Sequence, residues 1–543
     1  MLLNLVDLFT FFAVELRAGT LVFQSVLLGG VLFVLWAARA SPEASEESIG
    51  RVQASSWRLL RIGAIGLAIV QLLYLYVNSA VLMVNAEIGI DGVVGANFFI
   101  SGSIVLTAAL LTTIVARGKR NYWALTALAV VIMGASMMTN HAASRIEGRP
   151  LLALLSCMHE LSAGLWIGGL PFLTLGLFRA KDVTTQWYVT ERFSRMTLIS
   201  VGALLISGLA MSVLYIGSWD AVLGTAYGVM VGAKAAMLGA LLLLGGANFL
   251  LIRNASKETA LPRLRRLIEA EVGIGMTVIL TAASLTSQPP AVDQVSETVT
   301  LKQIYQRFKP TVPRFTYQFV PEATDALGET VSTMASAGKA RAYNVDGVPL
   351  TSQLVNESIR SESNHHWMGV VVLAMGLLVL LARTGKAPWA EYWPLLLIGI
   401  AIFIFLLADT ECWPVGWKGF WACWADPEIF QHRMAGLVCV AFAVFELRVR
   451  KRRKENDPWA MVFPLMCAVG GAVLLMHSHA ITNVKENLLV ELSHVPMGVM
   501  AVFAGWARWL ELRLPEKDRA IPSWIWPACF VLIGAGLMNY REM

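Results

Sequence analysis

Long apolar stretches recur along almost the whole chain, and they constrain its fold more than any other feature. A helix needs about 20 apolar residues to cross a bilayer, and about fourteen such stretches can be marked in this sequence. Hydrophobic residues make up 56% of the 543 residues and charged residues 15%, which excludes an ordinary soluble domain. We predict an all-α fold, a polytopic transmembrane helical bundle of about 14 spans with one extracytoplasmic loop domain. The spans are centred roughly on residues 25, 69, 107, 131, 163, 205, 240, 276, 375, 400, 440, 468, 500 and 530.

Lysine and arginine alternate between the two sides of this predicted bundle. Loops after odd-numbered spans are basic, as in Arg51, Arg58 and Arg61 after the first span and RVRKRRK (448–454) after the eleventh. The loop after the second span, NSAVLMVNAEIGIDGVVGAN, contains neither residue type. Because cytoplasmic loops carry the basic excess, both termini are predicted to face away from the cytoplasm. The N-terminal stretch lacks the features of a signal peptide, so we interpret it as a retained first span.

One polar segment interrupts the series of spans and divides the chain into three predicted domains. Residues 1–290 contain eight spans, residues 291–364 form the extracytoplasmic loop domain, and residues 365–543 contain six spans. Alternating stretches in the middle segment, such as TVPRFTYQFV, favour a few short strands. That segment carries no recognisable motif, so functional residues are sought in the two membrane domains.

All eight histidines are predicted to lie in the outer half of the membrane or outside it. An ionisable side chain within a span is unfavourable and usually faces a partner or a cavity, so a one-sided set indicates a site. Imidazole suits copper in either oxidation state, and thioether sulfur prefers copper(I). Packing at the membrane interface is the alternative role for each histidine, and methionine is also a common packing residue. The predicted metal ligands of the first membrane domain are His141, His159, Met137, Met138 and Met158, with Cys157 as an unassigned neighbour.

Four sequence elements in the first 290 residues resemble the copper resistance protein D (CopD) family of bacterial inner-membrane proteins. They are TNHAAS (139–144), HELSAGLWIGGL (159–170), YGVMVGAKAAMLGALLLLGGANFLLIR (227–253) and LRRLIEAEVGIGMTVILTAASLTSQPP (264–290). The resemblance implies an eight-span unit that takes up or handles copper at the bacterial inner membrane. It implies a metal-binding role for His141 and His159. Four further residues match motif positions without an implied metal role: Trp166, Lys234, Asn248 and Glu271.

The last six spans resemble the C-terminal extension of longer CopD-like proteins. The matching pieces are QHRMAGL (431–437), LLMHSHAITN (474–483) and VELSHVPMGVMAVFAGWARWLE (490–511). Four histidines at outer helix ends are predicted to converge on a copper site there, with Glu491 one turn before the last of them. Paired histidines would also suit a b-type haem, held by His432, His477 and His494, and a structural role is the third alternative. The four predicted metal ligands are His432, His477, His479 and His494.

The loop ECWPVGWKGFWACWADPE (411–428) lies between the tenth and eleventh predicted spans. Its four tryptophans suit an aromatic belt at the membrane interface. Cys412 and Cys423 share this outer loop, where oxidation is permitted, so a disulfide is the first interpretation and a pair of copper-binding thiolates the second.

The sequence also indicates which energy source and which partners the predicted transport protein uses. The sequence has no G-x-x-x-x-G-K-[ST] phosphate-binding loop and no Asp-Lys-Thr-Gly phosphorylation motif, so ATP is not expected to drive transport. The basic residues stand in short clusters between spans, which excludes a nucleic-acid partner. We predict a multi-pass copper transport protein of the inner membrane, not an enzyme, that takes copper ions from a periplasmic carrier. A haem b electron-transfer protein and a scaffold whose loop domain docks a partner are the alternatives.

Overall fold

The fold is built from helices throughout the part of the chain that the structure describes. The computed structural model describes residues 9–86, 88–118, 120–145, 148–295, 298–316, 352–425, 427–452, 457–476 and 484–541. These ranges contain no named strand, and twelve of their helices are long and apolar enough to cross a membrane. The predicted helical bundle is therefore confirmed, and the protein is a multi-pass membrane protein.

Twelve of the fourteen predicted span centres fall on these apolar helices. Near residue 400 the structure has a shorter apolar helix, Leu395–Ala408. Near residue 440 it has the 26-residue helix Pro427–Arg452, whose apolar stretch includes Arg433 and Glu446 and which is not among the twelve. Both positions are helical, as predicted, but neither satisfies the length and apolarity of an ordinary spanning helix.

The chain divides into two compact units, each described here by itself. Unit 1 comprises Met1–Val222, Met230–Val295 and Leu475–Ala480, and unit 2 comprises Leu223–Val229, Ser296–Leu474 and Ile481–Met543. The helices of the first part of the chain are α1 (Phe9–Leu32), α2 (Glu46–Asn85), α3 (Ile90–Gly95), α4 (Asn97–Val115), α5 (Tyr122–Ser136), α6 (His141–Ser144), α7 (Arg149–Ala163), α8 (Leu170–Arg179), α9 (Val183–Ile216), α10 (Trp219–Gly224), α11 (Ala226–Asn254) and α12 (Lys257–Ser287).

Glycines bring two helices of unit 1 into backbone contact. A π-helical turn, Gly164–Gly168, joins α7 to α8 and packs against α1. A Cβ atom added at Gly168 would lie 1.9 Å from the carbonyl oxygen of Ser25, and one added at Gly29 would lie 2.2 Å from the carbonyl carbon of Gly168. The glycines of GLWIGG therefore form a tight helix crossing.

Unit 2 packs its remaining helices around a cluster of aromatic rings. Trp393, Phe463 and Trp526 are almost fully buried, and their ring centroids are 5.3 to 6.3 Å apart. Such tilted and edge-on contacts are the usual geometry of an aromatic core. The helices of this part are α13 (Leu301–Phe308), α14 (Ser352–Arg383), α15 (Leu395–Phe403, continued by a π-helical turn, Ile404–Ala408), α16 (Phe420–Ala425), α17 (Pro427–Arg452), α18 (Val462–Met476), α19 (Val484–Arg513) and α20 (Ala520–Met538).

Parts of the predicted loop domain and of the predicted copper site lie outside the described residues. In the segment 291–364, the described part contains the short helix α13, and α14 begins at Ser352. Of the expected strand TVPRFTYQFV (311–320), residues 311–316 are described and form no strand, and residues 317–320 lie outside the described residues. His477 and His479 also fall outside the described residues.

Candidate functional site

The asparagine of the TNHAAS motif places His141 at the start of a short helix. Asn140 caps α6, because its side-chain oxygen accepts a hydrogen bond from the backbone N–H of Ala143 at 3.1 Å. His141 is the first residue of that helix and bonds to the backbone of Leu285. Its ring meets the Tyr215 ring edge-on at 6.1 Å. Asn140 thus holds His141 at the junction of α6, α9 and α12.

Charges around His141 favour its neutral form. Burial is the largest cause that lowers the pKa of His141, the positive charges of Arg17 and Arg145 lower it further, and the Leu285 bond and Asp293 oppose them. Arg145 forms an ion pair with Asp293 at 2.8 Å, so its charge is held in place beside the imidazole. A neutral imidazole is the form that binds a metal ion.

His159 lies against α9, where a glycine leaves room for its ring. A Cβ atom at Gly208 would come within 3.3 Å of the imidazole. His159 Nδ1 is 3.4 Å from Ser207 Oγ, whose hydroxyl is 2.7 Å from the carbonyl oxygen of Ala203. Because that hydroxyl donates to the carbonyl, Ser207 Oγ accepts the proton of Nδ1, and the lone pair of His159 is on Nε2.

The two histidines of unit 1 lie at different depths. His141 contacts Tyr215 and His159 contacts Ser207, and these partners are eight residues apart on α9, about 12 Å along the helix axis. One metal ion cannot bridge that separation, since metal–nitrogen bonds are about 2 Å long. Within the described ranges, no group of three or more His, Cys, Asp or Glu side chains is arranged to hold a metal ion. His141 and His159 therefore cannot bind the same metal ion, and each is a separate candidate binding position, called a station below.

Buried polar side chains link α1, α5 and α7 beside these stations. Gln24 Nε2 donates to Ser136 Oγ at 3.0 Å, and Ser136 Oγ is 3.3 Å from Glu160 Oε2. Arg17 is within electrostatic range of both Glu160 and His141. A small cavity of about 20 Å³, lined in part by Arg17 and Gln24, adjoins this chain and has room for one water molecule. Neither Gln24 nor Ser136 was predicted from the sequence to be functional, although Gln24 interrupts the apolar first span.

A larger cavity occupies the other half of unit 1. Its volume is about 240 Å³, and apolar side chains of α7 to α12 line most of it together with Trp166. Asn248 Nδ2 donates to Glu271 Oε2 at 2.9 Å, and both side chains are more than nine-tenths buried. Asn248 Oδ1 is buried without a hydrogen-bond partner among the described residues. The carboxyl group of Glu271 and the amide oxygen of Asn248 therefore form the polar end of a cavity that is otherwise mostly apolar.

Glu271 differs from the buried carboxylates of unit 2. Glu446 lies 3.1 Å from Arg450, and Glu511 lies 2.7 Å from both Arg383 and Arg508. Glu271 forms no ion pair within the described residues. A buried carboxylate without a cation is unfavourable unless a proton or a bound cation compensates it.

Lys234 does not supply that cation. A lysine beside a cation route would need a negatively charged partner such as Glu271 to neutralise its charge. In the structure Glu271 bonds to Asn248, which is 14 residues from Lys234 on α11, about 21 Å along the axis. Lys234 instead lies within electrostatic range of His159.

The predicted sulfur ligands of unit 1 are dispersed. Asn140 Nδ2 donates to the sulfur of Met137 at 3.3 Å, while Met138 is exposed. Met158 and Cys157 are each partly exposed on α7, and Cys157 is a free cysteine. Their roles as copper ligands remain predictions.

In unit 2, His365, which was not among the predicted metal ligands, lies beside His494, which was. His494 of α19 lies 5.9 Å from the ring of His365 on α14, and His365 stacks on Tyr540 at 3.9 Å. His432 is held by Asp409, whose two carboxylate oxygens are 3.0 and 3.1 Å from Nδ1. His365 and His366 are adjacent in the sequence, and no sequence pattern indicates which of the two has a functional role.

Cys412 and Cys423 are brought together as predicted, but as free thiols. Both are buried in one small cluster with Ile429, and Cys423 Sγ donates to the carbonyl oxygen of Lys418 at 3.4 Å. The structure records both as free cysteines, so the expected disulfide is not formed. Burial, followed by the neighbouring Cys423, raises the pKa of the Cys412 thiol.

Comparison with known proteins finds similarity in residues 187–285 and to one copper transport protein. The model of the family described as copper resistance protein D matches residues 187–285. The copper transport protein CutJ of Bacillus subtilis (strain 168) is 33% identical over 205 residues, which cover 36% of this chain and 37% of CutJ. The match thus spans little more than a third of that relative's length, and no solved structure matches. The resemblance found in the sequence is confirmed for residues 187–285, which include Asn248 and Glu271 and which match the copper resistance protein D model.

Proposed function

We propose that unit 1 carries copper ions across the inner membrane, from the periplasmic side to the cytoplasm. The ion binds at His141, moves to His159 beside the Gln24, Ser136 and Glu160 chain, and leaves through the cavity of Glu271 and Asn248. This proposal extends to the whole chain what the family match and the similarity to a copper transport protein support for a part of it.

The observation that carries the proposal is the series of polar groups inside an otherwise apolar bundle. His141 and His159 are about 12 Å apart along α9, and Trp166, which borders the cavity of Glu271, follows His159 by seven residues, about 10 Å of helix. Polar and ionisable groups are unfavourable in a membrane and mark ion pathways. His141, His159 and the cavity of Glu271 therefore follow one another across the membrane at similar intervals.

The direction of movement follows from charge. The basic loops after odd-numbered spans support a periplasmic position for the His141 end and for both termini. A potential that is negative inside draws a cation inward with about 2.3 kcal/mol per charge per 100 mV, so no nucleotide is needed. We also propose that residues 291–364 form a periplasmic segment that receives copper from a carrier protein.

Copper accumulation in cells tests the proposal. In a strain that expresses this protein in place of its own copper importer, His141→Ala and His159→Ala should each lower accumulated copper at least tenfold. Leu161→Ala, a change at an exposed position two residues from His159, is the matched control and should accumulate copper normally. Normal accumulation in both histidine variants, at equal protein levels, would contradict the route.

A further inference from the structure

Three rings of unit 2 meet where α14, α19 and the residues after α20 come together. The His365 ring stacks on Tyr540, with centroids 3.9 Å apart and planes inclined by 24°. The His494 ring lies edge-on to both, 5.9 Å from His365 and 5.6 Å from Tyr540. Two imidazoles from different helices therefore adjoin each other beside one phenol ring.

Backbone carbonyl groups determine where each imidazole carries its proton. Nδ1 of His365 is 2.8 Å from the carbonyl oxygen of Ser361, and Nδ1 of His494 is 2.9 Å from that of Val490. A carbonyl oxygen only accepts, so each Nδ1 is protonated and the lone pair of each ring is on Nε2. Metal-binding histidines adopt this arrangement, in which one nitrogen is anchored by a hydrogen bond and the other is the ligand.

The ring separation matches that of two imidazoles on one linear metal ion. With metal–nitrogen bonds of about 2 Å and a ring centre about 1 Å beyond each nitrogen, the two centroids would be about 6 Å apart. The observed separation of His365 and His494 is 5.9 Å. The centroid separation is therefore compatible with one metal ion between the two Nε2 atoms.

His366, the next residue of α14, is a histidine whose imidazole has a structural role. His366 is fully buried, with Nδ1 accepting from the backbone N–H of Arg314 at 2.8 Å and Nε2 3.1 Å from the carbonyl oxygen of Tyr540. Both of its nitrogens are occupied by backbone groups. His365 uses only Nδ1 in this way among the described residues, so the two adjacent histidines have different roles.

We propose that His365 and His494 bind one copper(I) ion in a two-coordinate site that Tyr540 covers on one side. Two neutral imidazoles suit a monovalent ion of low coordination number, whereas structural zinc takes four ligands and copper(II) prefers a tetragonal set. His432, held by Asp409 and within electrostatic range of His365, is the adjacent station. The site deepens the proposed function, since it rests on copper being the cargo, and it adds His365 to the predicted ligands.

Copper(I) titration of the purified full-length protein tests the site. Under anaerobic, reducing conditions, a chromophoric copper(I) chelator competes with the protein in detergent micelles. His365→Phe keeps a ring on Tyr540 but removes the nitrogens, and His494→Phe does the same at the second position. Each should weaken the binding of one copper(I) ion at least tenfold. His366→Gln is the control, which should melt at a lower temperature but bind copper(I) as the unaltered protein does.

The outcomes separate this site from the transport route. Unchanged copper(I) affinity in folded His365→Phe, as judged by its melting curve, would overturn the site. Zinc binding of equal affinity that depends on the same two residues would overturn its assignment to copper(I). If the unaltered protein does not import copper into cells but His365→Phe still loses one copper(I) ion in vitro, the transport proposal fails and the site stands.

Discussion

Asn248 and Glu271 join α11 to α12 through a 2.9 Å hydrogen bond at the polar end of an apolar cavity. The carboxyl group has an amide as its partner where other buried carboxylates of this protein have an arginine. If a copper ion passes through the cavity, its charge compensates the carboxylate there.

The charge of Glu271 is therefore expected to matter more than its shape. Glu271→Gln keeps the size and a hydrogen bond to Asn248, and it should lower copper accumulation at least tenfold while the melting temperature stays close to that of the unaltered protein. Cellular copper measured by mass spectrometry checks the first part and thermal unfolding in detergent the second. Gly239→Ala, which adds a methyl group in open space on α11 away from the cavity, is the control and should accumulate copper normally. Normal accumulation in Glu271→Gln would remove the carboxylate from the route.

Ser207 is expected to orient the imidazole of His159 rather than to bind the copper ion. Ser207→Ala removes the oxygen that accepts from Nδ1 at 3.4 Å, so the imidazole loses one orienting contact and keeps its bond to the backbone of Leu204. Copper accumulation should fall severalfold, less than in His159→Ala, because orienting partners of metal ligands contribute about 10- to 100-fold in affinity at most. Ser212→Ala, five residues further along α9, is the matched control. A loss in Ser207→Ala as complete as that in His159→Ala would contradict a merely orienting role.

The pH dependence of uptake should report on Arg145. Burial, Arg17 and Arg145 lower the pKa of His141, so it stays neutral and able to bind metal at pH values below its ordinary pKa of 6.5. Arg145→Gln removes one of these charges and leaves Asp293 without its ion-pair partner, and both changes raise the pKa. Uptake by this variant should match the unaltered protein at pH 7.5 and fall below it at pH 6. A pH profile of copper uptake checks this, and parallel profiles would refute it.

The crossing of α1 with the π-helical turn should not tolerate a methyl group. In Gly168→Ala the new Cβ would lie 1.9 Å from the backbone oxygen of Ser25, which no side-chain rotation relieves. We expect a loss of about 1–3 kcal/mol in the free energy of unfolding, as for other overpacked sites. Gly239→Ala, with nothing within 4 Å, should be neutral or stabilising. Melting temperatures in detergent compare the two, and equal values would contradict the tight crossing.

The thiol of Cys412 should react slowly. Because burial and Cys423 raise its pKa, the thiolate that attacks a maleimide is scarce at pH 8. In reducing buffer, the folded protein should label at Cys412 at least tenfold more slowly than after denaturation, and the rate should still be rising above pH 9. Mass spectrometry of labelled peptides measures both. Rapid labelling of folded protein at pH 7 would contradict this environment.

The helical architecture was predictable because spanning helices leave a strong and simple signal. Fourteen centres were predicted from apolar length alone, and twelve lie on long apolar helices. The position near residue 400 differed because Leu395–Ala408 is shorter than a usual span, while the helix near residue 440 carries Arg433 and Glu446 within its apolar part. Hydropathy reports average apolarity over about 20 residues and does not resolve such exceptions.

The candidate site was predictable only in part, because its contacts join residues distant in sequence. His141, His159 and His494 stand out as ionisable residues near helix ends, and the structure gives each an ordered environment. Gln24 is 112 residues from Ser136 and Tyr540 is 175 residues from His365, so no local pattern reveals either contact. The expected disulfide shows the same limit, since two cysteines of one loop were correctly brought together but in the thiol state.

The backbone contact of Gly29 with Gly168 bears on how an alternating-access cycle could work in unit 1. Helices that touch without an intervening layer of side chains cannot slide past each other without separating, so α1 and the π-helical turn are expected to move as one rigid body. If unit 1 moves copper ions as proposed, this crossing is expected to keep its geometry throughout the cycle, and the movement is expected between other helices.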